Sequence, residues 1–239
     1  MELAEVVGHL AVLRRFPVEP LGGEEPDEAR LAGEDLLGDR EYVLLEEPTG
    51  SPLDPESNPF LLGCRARVVG QLAAGEPEGR VLVRVSEGAE FRLTDSAWLA
   101  EVSRRFGQPV RMAARRDLPG GAPGLHLVST PTLGFLERAY GAPLEPARLR
   151  ANFVVDLHEG AAFEEDHWVG QRIRIGDAQF DVVSPSLGCV LTRLEPESAA
   201  GDVSMLKGVL HVRGGSLGVQ VRPVSGHRVR VADPMSLVS

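Results

Sequence analysis

Cys189 carries the most reactive side chain of this sequence. It follows a Pro-Ser-Leu-Gly bend and precedes a Val-Leu run, with Arg193 four residues further on. A nearby cation lowers the pKa of a thiol and favours the thiolate, the form that binds a soft metal or accepts sulfur. A lone cysteine beside apolar residues is, on the other hand, commonly a buried core residue. Cys64, in LLGCRARV, has no such neighbours and is predicted to be structural.

Two pairs of polar residues could bind an anionic ligand. Arg150 and Asn152 lie two residues apart, so on a β-strand they project from the same face, and together they could bind a phosphate or a pterin edge. The alternative is an ordinary surface arginine. Ser129 and Thr132 fall at the start of a predicted helix, where hydroxyls and unpaired N–H groups suit an anion. The alternative for these two is simple helix capping.

Other common catalytic centres lack support in the sequence. The six histidines show no spacing typical of metal ligands, and no Gly-x-Ser-x-Gly motif presents a nucleophilic serine. No Gly-rich dinucleotide motif follows a predicted strand, and no phosphate-binding loop ends in Gly-Lys-Ser/Thr. The acidic run Glu164, Glu165 and Asp166 is predicted to be a solvated turn before Trp168 rather than a pair of catalytic carboxylates.

Two helices are predicted. The segment FRLTDSAWLAEVSRRFGQP is amphipathic, with Asp95 or Ser96 as its N-cap and Gly107 at its end. Its apolar face comprises Trp98, Leu99, Val102 and Phe106. The segment VSTPTLGFLERAYG predicts a second helix, with Thr130 as its cap and Gly141 after its last turn.

Elsewhere the hydrophobic pattern has a period of two, which predicts short strands. These strands are residues 14–18, 41–45, 80–85, 152–157, 219–222 and 228–231. The run QRIRIGDAQFDVV predicts a hairpin that turns at Gly176 and Asp177. Its facing apolar residues are Ile173, Ile175, Phe180 and Val182. We therefore predict a mainly β chain with a few helices, of the α+β class.

Composition limits the class of protein. Of 239 residues, 43% are hydrophobic and 25% charged, which excludes disorder of the whole chain. The 27 glycines and 18 prolines favour short elements joined by tight turns. A net charge of −10 would repel a phosphate backbone, so no nucleic-acid partner is expected. The acidic N-terminus and the lack of a long apolar run predict a cytoplasmic protein with no membrane association.

The C-terminal half resembles the MOSC domain, the family that includes the C-terminal part of molybdenum-cofactor sulfurases and the amidoxime-reducing enzymes. The residues that carry this resemblance are Arg150, Asn152, Glu164, Glu165, Trp168, Gly170, Gly176, Asp177, Cys189, Thr192 and Pro196. The N-terminal half is similar to the barrel domain that precedes MOSC in those enzymes. Its matching stretches are Phe16-Pro17-Val18, Gly22-Gly23-Glu24 and Gly38-Asp39-Arg40. With a boundary in DLPGGAPG, the resemblance implies a β-barrel-like domain at residues 1–118 packed on a MOSC β-barrel domain at 119–239.

The resemblance also implies a cofactor and a reaction. Members of the family hold a molybdenum cofactor, with the residue that matches Cys189 as metal ligand and catalytic residue. The residues implied around the pterin and phosphate are Arg40, Ser129, Thr132, Arg150 and Asn152. The implied reaction is the two-electron reduction of a small N-hydroxylated or N-oxygenated molecule. Because two cysteines cannot hold a ferredoxin-like cluster, a separate electron-donor reductase is then required. Pyridoxal phosphate is not expected.

This chain departs from the family pattern at three positions. Glu19 and Pro20 replace a Lys-Ser pair that contacts the cofactor phosphate, and Gly188 stands where an arginine commonly precedes the metal-binding cysteine. A carboxylate at position 19 would oppose a dianionic phosphate. These departures favour a metal-free alternative, in which Cys189 acts as a nucleophile or persulfide carrier in sulfur transfer or C–S bond processing. A second alternative is a non-catalytic ligand-binding module.

Overall fold

The computed structural model describes residues 5–54, 58–70, 72, 80–85, 88–119, 124–141, 149–187, 211 and 213–238. The strands in these ranges are β1 Val6–Leu13, β2 Val18–Glu19, β3 Glu28–Ala32, β4 Asp35–Leu36, β5 Tyr42–Glu46, β6 Arg65–Val68, β7 Val81–Arg84, β8 Glu90–Arg92, β9 Val110–Ala114, β10 Leu125–Ser129, β11 Phe153–Leu157, β12 Arg172–Ile175, β13 Ala178–Leu187, β14 Ser216–Ser225, β15 Arg228–Arg230 and β16 Pro234–Val238. The α-helices are α1 Ser96–Phe106 and α2 Thr130–Tyr140. The predicted mainly β class with few helices is confirmed. Within these ranges, no helix is long and apolar enough to cross a membrane.

The chain divides into two compact units. Unit 1 comprises the described residues of Met1–Arg14, Pro26–Asp35 and Gly124–Ser239. Unit 2 comprises those of Arg15–Glu25 and Leu36–Pro123. The sequence-based boundary between residues 118 and 119 assigned 1–14 and 26–35 to the N-terminal domain, whereas in the structure residues 5–14 and 26–35 belong to unit 1.

Unit 1 is built on a closed barrel of seven strands. Their order around the barrel is β1-β11-β10-β14-β13-β12-β16. Phe153 and Phe180 are fully buried and meet edge to face, with ring centroids 5.4 Å apart. Strand β1 closes the barrel by pairing antiparallel with both β11 and β16. The sequence pattern missed β1, and the strand predicted at residues 14–18 is wrong, because only Val18 of that run belongs to a strand.

Helix α2 packs on the outside of the barrel. Its buried side chains Leu133, Leu136 and Ala139 contact residues of β10 and β11, including Val128 and Val154. The helix ends where predicted, because Gly141 adopts a left-handed conformation with φ of 75°. Its N-cap is Ser129 rather than the predicted Thr130.

The predicted β12–β13 hairpin is confirmed. Ile173 lies opposite Phe180, and Ile175 lies opposite Ala178 across the two-residue turn. Gly176 has φ of 60°, and a Cβ atom there would lie 2.4 Å from a carboxylate oxygen of Asp233. The left-handed φ therefore favours glycine at this position, and a larger residue would also displace the Asp233 carboxylate.

In the part of unit 2 that the structure describes, the strands form two three-stranded sheets, β2-β5-β9 and β6-β7-β8. Helix α1 packs beside β9 and is capped as predicted, with the Asp95 side chain accepting from Ala97 N at 2.9 Å. Its buried residues are Trp98 and Val102. Cys64 is a fully buried thiol and donates to Phe60 O at 3.4 Å, as expected for a structural cysteine.

The ion pairs of Glu101 on α1 lead to a testable prediction about pH. Hydrogen bonds from Arg104 and Arg105 lower the pKa of Glu101 from 4.5 to about 2. Because the pKa of Glu101 is lower in the folded chain than in the unfolded chain, its interactions with the two arginines stabilise the fold above about pH 4.5. This stabilisation is lost as the pH falls toward 2. A side-chain NMR titration should show Glu101 ionised down to this range. Arg105→Gln should raise its pKa, whereas Arg138→Gln, on α2, should leave it unchanged. An unchanged Glu101 titration in Arg105→Gln would contradict this assignment.

Candidate functional site

The first polar cluster of unit 1 surrounds the carboxylate of Glu165. This side chain is fully buried in a 3-10 helix, Glu164–Trp168. It accepts hydrogen bonds from Ser129 N at 3.2 Å, Ser129 Oγ at 2.7 Å and Thr132 Oγ1 at 2.9 Å. Ser129 and Thr132 are themselves fully buried. The prediction that the acidic run is a solvated turn is therefore wrong for Glu165.

The Glu165 carboxylate lies where an external anion was expected. The start of α2 offers unpaired N–H groups and a positive helix dipole, which favour a negative charge. In this structure the protein supplies that charge itself, and the hydroxyls of Ser129 and Thr132 are directed to it. Both residues remain predicted cofactor contacts, but their polar groups are engaged inside the fold.

A second layer of contacts fixes the segment that carries Glu165. Phe163 N donates to Thr132 Oγ1 at 2.6 Å, and Phe163 has a left-handed φ of 68°. The Arg213 guanidinium lies 3.7 Å from the centroid of the Phe163 ring and forms an ion pair with Asp166. These contacts hold the segment that carries Glu165 on both sides, at Phe163 and at Asp166.

The second polar cluster is centred on Asn152, which is also fully buried. Its Oδ1 accepts from His126 N at 3.1 Å, and its Nδ2 donates to Arg14 O at 3.3 Å. The ring nitrogens of His126 lie 3.2 Å from Leu149 O and 2.8 Å from Leu217 O. Asn152 therefore ties β10 to the chain beyond β1 through backbone groups, a role that the sequence did not reveal.

The structure does not bring the predicted pairs to one point. Ser129, at the end of β10, pairs with Val155 of the parallel strand β11. Asn152 precedes Val155 by three residues, which corresponds to about 10 Å along the strand. Ser129 and Thr132 thus lie at one end of this strand pair, and Arg150 and Asn152 lie at the other. Arg150 is half-buried, with a left-handed φ of 51°.

The remaining described candidate, Arg40, lies in unit 2. Its guanidinium donates to Asp39 Oδ2 at 2.8 Å and lies 5.4 Å from the ring centroid of Phe16. Asp39 also accepts from Phe16 N at 2.7 Å. Arg40 is only 6% exposed, so this arginine contributes to the packing of unit 2 whether or not it also contacts a ligand.

Glu19, one of the three residues that depart from the family pattern, forms an ion pair with Arg115 in unit 2. In the same unit, the Glu41 carboxylate accepts a hydrogen bond from Gly38 N at 2.9 Å, and burial raises the pKa of this carboxyl group. The negative charge of Glu19 is therefore balanced by a cation of the same unit. Cys189 and Gly188 lie outside the described residues.

Comparison with known proteins identifies the family of the C-terminal part of the chain. Residues 120–236 match the model of the MOSC domain family, so this part of the chain is a MOSC domain. The structure of the YuaD protein from Bacillus subtilis has a TM-score of 0.51 at 13% identity, covering 99% of this chain and 98% of that one. This likeness concerns the fold alone.

Two further structures are similar over about half of the chain. YiiM from Geobacillus stearothermophilus has a TM-score of 0.39 at 17% identity, covering 54% of this chain and 67% of that one. YiiM from Escherichia coli has a TM-score of 0.35 at 17% identity, covering 51% and 58%. No curated protein matches this chain.

Proposed function

We propose that this protein is a molybdenum-cofactor-dependent oxidoreductase that reduces small N-hydroxylated or N-oxygenated molecules. The observation that carries the proposal is the MOSC match over residues 120–236, a stretch that includes Cys189, Arg150 and Asn152. When bound, the cofactor would supply two-electron transfer, and a separate electron-donor reductase would supply the electrons. The small-molecule substrate and this reductase are the partners that the proposal requires.

The described residues divide into those that fit direct contact with the cofactor and those that fit a supporting role. Arg150 is cationic and half-buried, so its guanidinium fits the cofactor phosphate. Asn152 lies two residues further along the chain and orients this end of β11 through its hydrogen bonds to His126 and Arg14. Ser129 and Thr132 fit a supporting role, because they position the 3-10 helix through Glu165. Cys189 is the proposed metal ligand.

Elemental analysis tests this proposal. The untagged full chain, produced in a host that makes the cofactor, should contain about one molybdenum per chain. Cys189→Ala should lower the molybdenum content at least about tenfold, since a soft thiolate ligand is lost. Cys64→Ala is the matched control, because Cys64 is buried in unit 2 and should leave the metal content unchanged. A folded wild-type chain without molybdenum would rule the proposal out.

The Glu19–Arg115 ion pair favours a second candidate function. It places a carboxylate, already balanced by its own cation, where family members keep a lysine for the phosphate. In this candidate, Cys189 carries sulfur without a metal. Incubation with thiosulfate, whose sulfane sulfur passes to the Cys189 thiolate while sulfite leaves, should then add about 32 mass units, removable by a reductant. The same adduct on Cys189→Ala would exclude this candidate.

A further inference from the structure

Two histidines and an aspartate meet on the outer surface of the unit 1 barrel. His9 on β1 lies directly opposite Asp156 on β11. His158 follows Asp156 by two residues, and its ring centroid lies 6.5 Å from that of His9. The distance from His9 Nε2 to Asp156 Oδ2 is 4.0 Å. Because His9 and Asp156 are far apart in the sequence, their spacing along the chain gave no sign of this cluster.

The side chains of the cluster are accessible. His9 is 40% exposed and Asp156 is 49% exposed, and His158 is exposed as well. The residues next to them on the two strands, Leu10 and Val155, are fully buried in the barrel. This alternation directs all three polar side chains outward, where an ion from solution can reach them.

The backbone beneath the cluster is held tightly. A Cβ atom on Gly8 would lie 2.2 Å from Asp156 O, so only glycine allows β1 to approach β11 this closely. Past the end of β11, His158 N donates to Val7 O at 3.0 Å and continues the strand pairing. His9 and Asp156 are therefore anchored on two strands in a fixed register, and His158 is held just past the end of one of them, which limits the loss of entropy when the three bind a common ligand.

The Asp156 carboxylate is also oriented by a neighbour. Thr130 Oγ1 donates to Asp156 Oδ1 at 2.5 Å, and Oδ2 is the oxygen nearest to His9. A hydrogen bond to one carboxylate oxygen while the other faces an imidazole is the arrangement that supports carboxylate ligands in metal sites. Thr130 would thus act as the residue that positions the ligand.

We propose that His9, Asp156 and His158 form a binding site for a divalent transition-metal ion, with zinc as its representative. Two imidazoles and one carboxylate are a ligand set typical of this class of ion, with metal–ligand distances of about 2.0–2.2 Å. As the side chains lie, no three such groups in the described ranges converge on one point. A rotation that closes the His9–Asp156 distance by about 1 Å brings their donor atoms to the separation that one ion requires.

Isothermal titration of the untagged full chain with zinc chloride at pH 7.5 tests the site. We expect His9→Gln, Asp156→Asn and His158→Gln each to weaken one binding event at least about tenfold. His227→Gln, an exposed histidine elsewhere on unit 1, is the matched control and should bind like the wild type. Cys189→Ser should also retain the event, which separates this site from any zinc bound by that thiol. Thermal melts of each variant check that the fold is intact.

The dependence on pH and on the identity of the ion completes the test. Binding should weaken at pH 5.5, because protonated imidazole cannot ligate a metal. Magnesium should not compete, since it prefers oxygen ligands in an octahedral site. If zinc does not bind, or if the three variants bind it as tightly as His227→Gln does, the proposal is overturned. Neither result affects the proposed function, which concerns molybdenum and Cys189.

Discussion

Replacing Glu165 by alanine should lower the free energy of unfolding by about 3–5 kcal/mol. The substitution removes the carboxylate that accepts from three buried donors: Ser129 N, Ser129 Oγ and Thr132 Oγ1. Hydrogen bonds to a charged group contribute more than neutral ones, and water cannot easily replace a partner in a fully buried site. The loss should be measured by urea denaturation, followed by circular dichroism.

Two further variants distinguish the loss of the buried carboxylate from the general effect of shortening a side chain. Glu165→Gln keeps one acceptor oxygen, and the neighbouring hydroxyls can rotate to accept from its amide, so the loss should be about 1–2 kcal/mol. Glu164→Ala removes the preceding, partly exposed carboxylate of the same 3-10 helix and should cost less than about 1 kcal/mol. Equal losses for Glu164→Ala and Glu165→Ala would contradict the assigned network.

The elements that depend on local signals could be predicted from the sequence. Helix α1 was correctly bounded because Asp95 caps it and Gly107 ends it in a left-handed conformation. The hairpin was found because Gly176 and Asp177 form a two-residue turn between alternating apolar residues. In both cases the residues that determine the structure lie within one short stretch of chain.

The parts that depend on contacts distant in the sequence could not be predicted in this way. Strand β1 closes the barrel only by pairing with β11 and β16, which come from the other half of the chain. The burial of Glu165 depends on Ser129 and Thr132, more than thirty residues away. An acidic run has the same composition whether its carboxylate is solvated or buried at the start of a helix. Only the tertiary structure distinguishes the two.

The family resemblance located the candidate residues but not the way in which they act. Asn152 was implied as a cofactor contact, and that role stays a prediction. In the structure its amide joins His126 N to Arg14 O inside the barrel wall. A residue can match a family motif because it contacts the ligand or because it holds the strand that does, and the two roles differ in their effect on stability.

Asn152→Ala should therefore destabilise the chain by about 2–4 kcal/mol even with no ligand present. The substitution leaves His126 N and Arg14 O without the amide that joins them, in a site that is fully buried. Gln171→Ala is the matched control, because its exposed amide donates to His167 O at 2.7 Å and its loss should change stability by less than about 0.5 kcal/mol. Urea denaturation of the ligand-free protein measures both.

Asn152→Asp tests the same two hydrogen bonds by replacing the amide with a carboxyl group that can carry a charge. One carboxylate oxygen can still accept from His126 N, but the other would face the carbonyl oxygen of Arg14 and repel it. One oxygen of an ionised carboxylate would be buried against the Arg14 carbonyl oxygen in place of a donor, so the loss at pH 7 should exceed that of Asn152→Ala. Protonation restores a donor toward Arg14 O, so the loss should shrink as the pH is lowered to 4. If Asn152 acted only as a ligand contact, both variants would unfold like the wild type and differ from it only in cofactor binding.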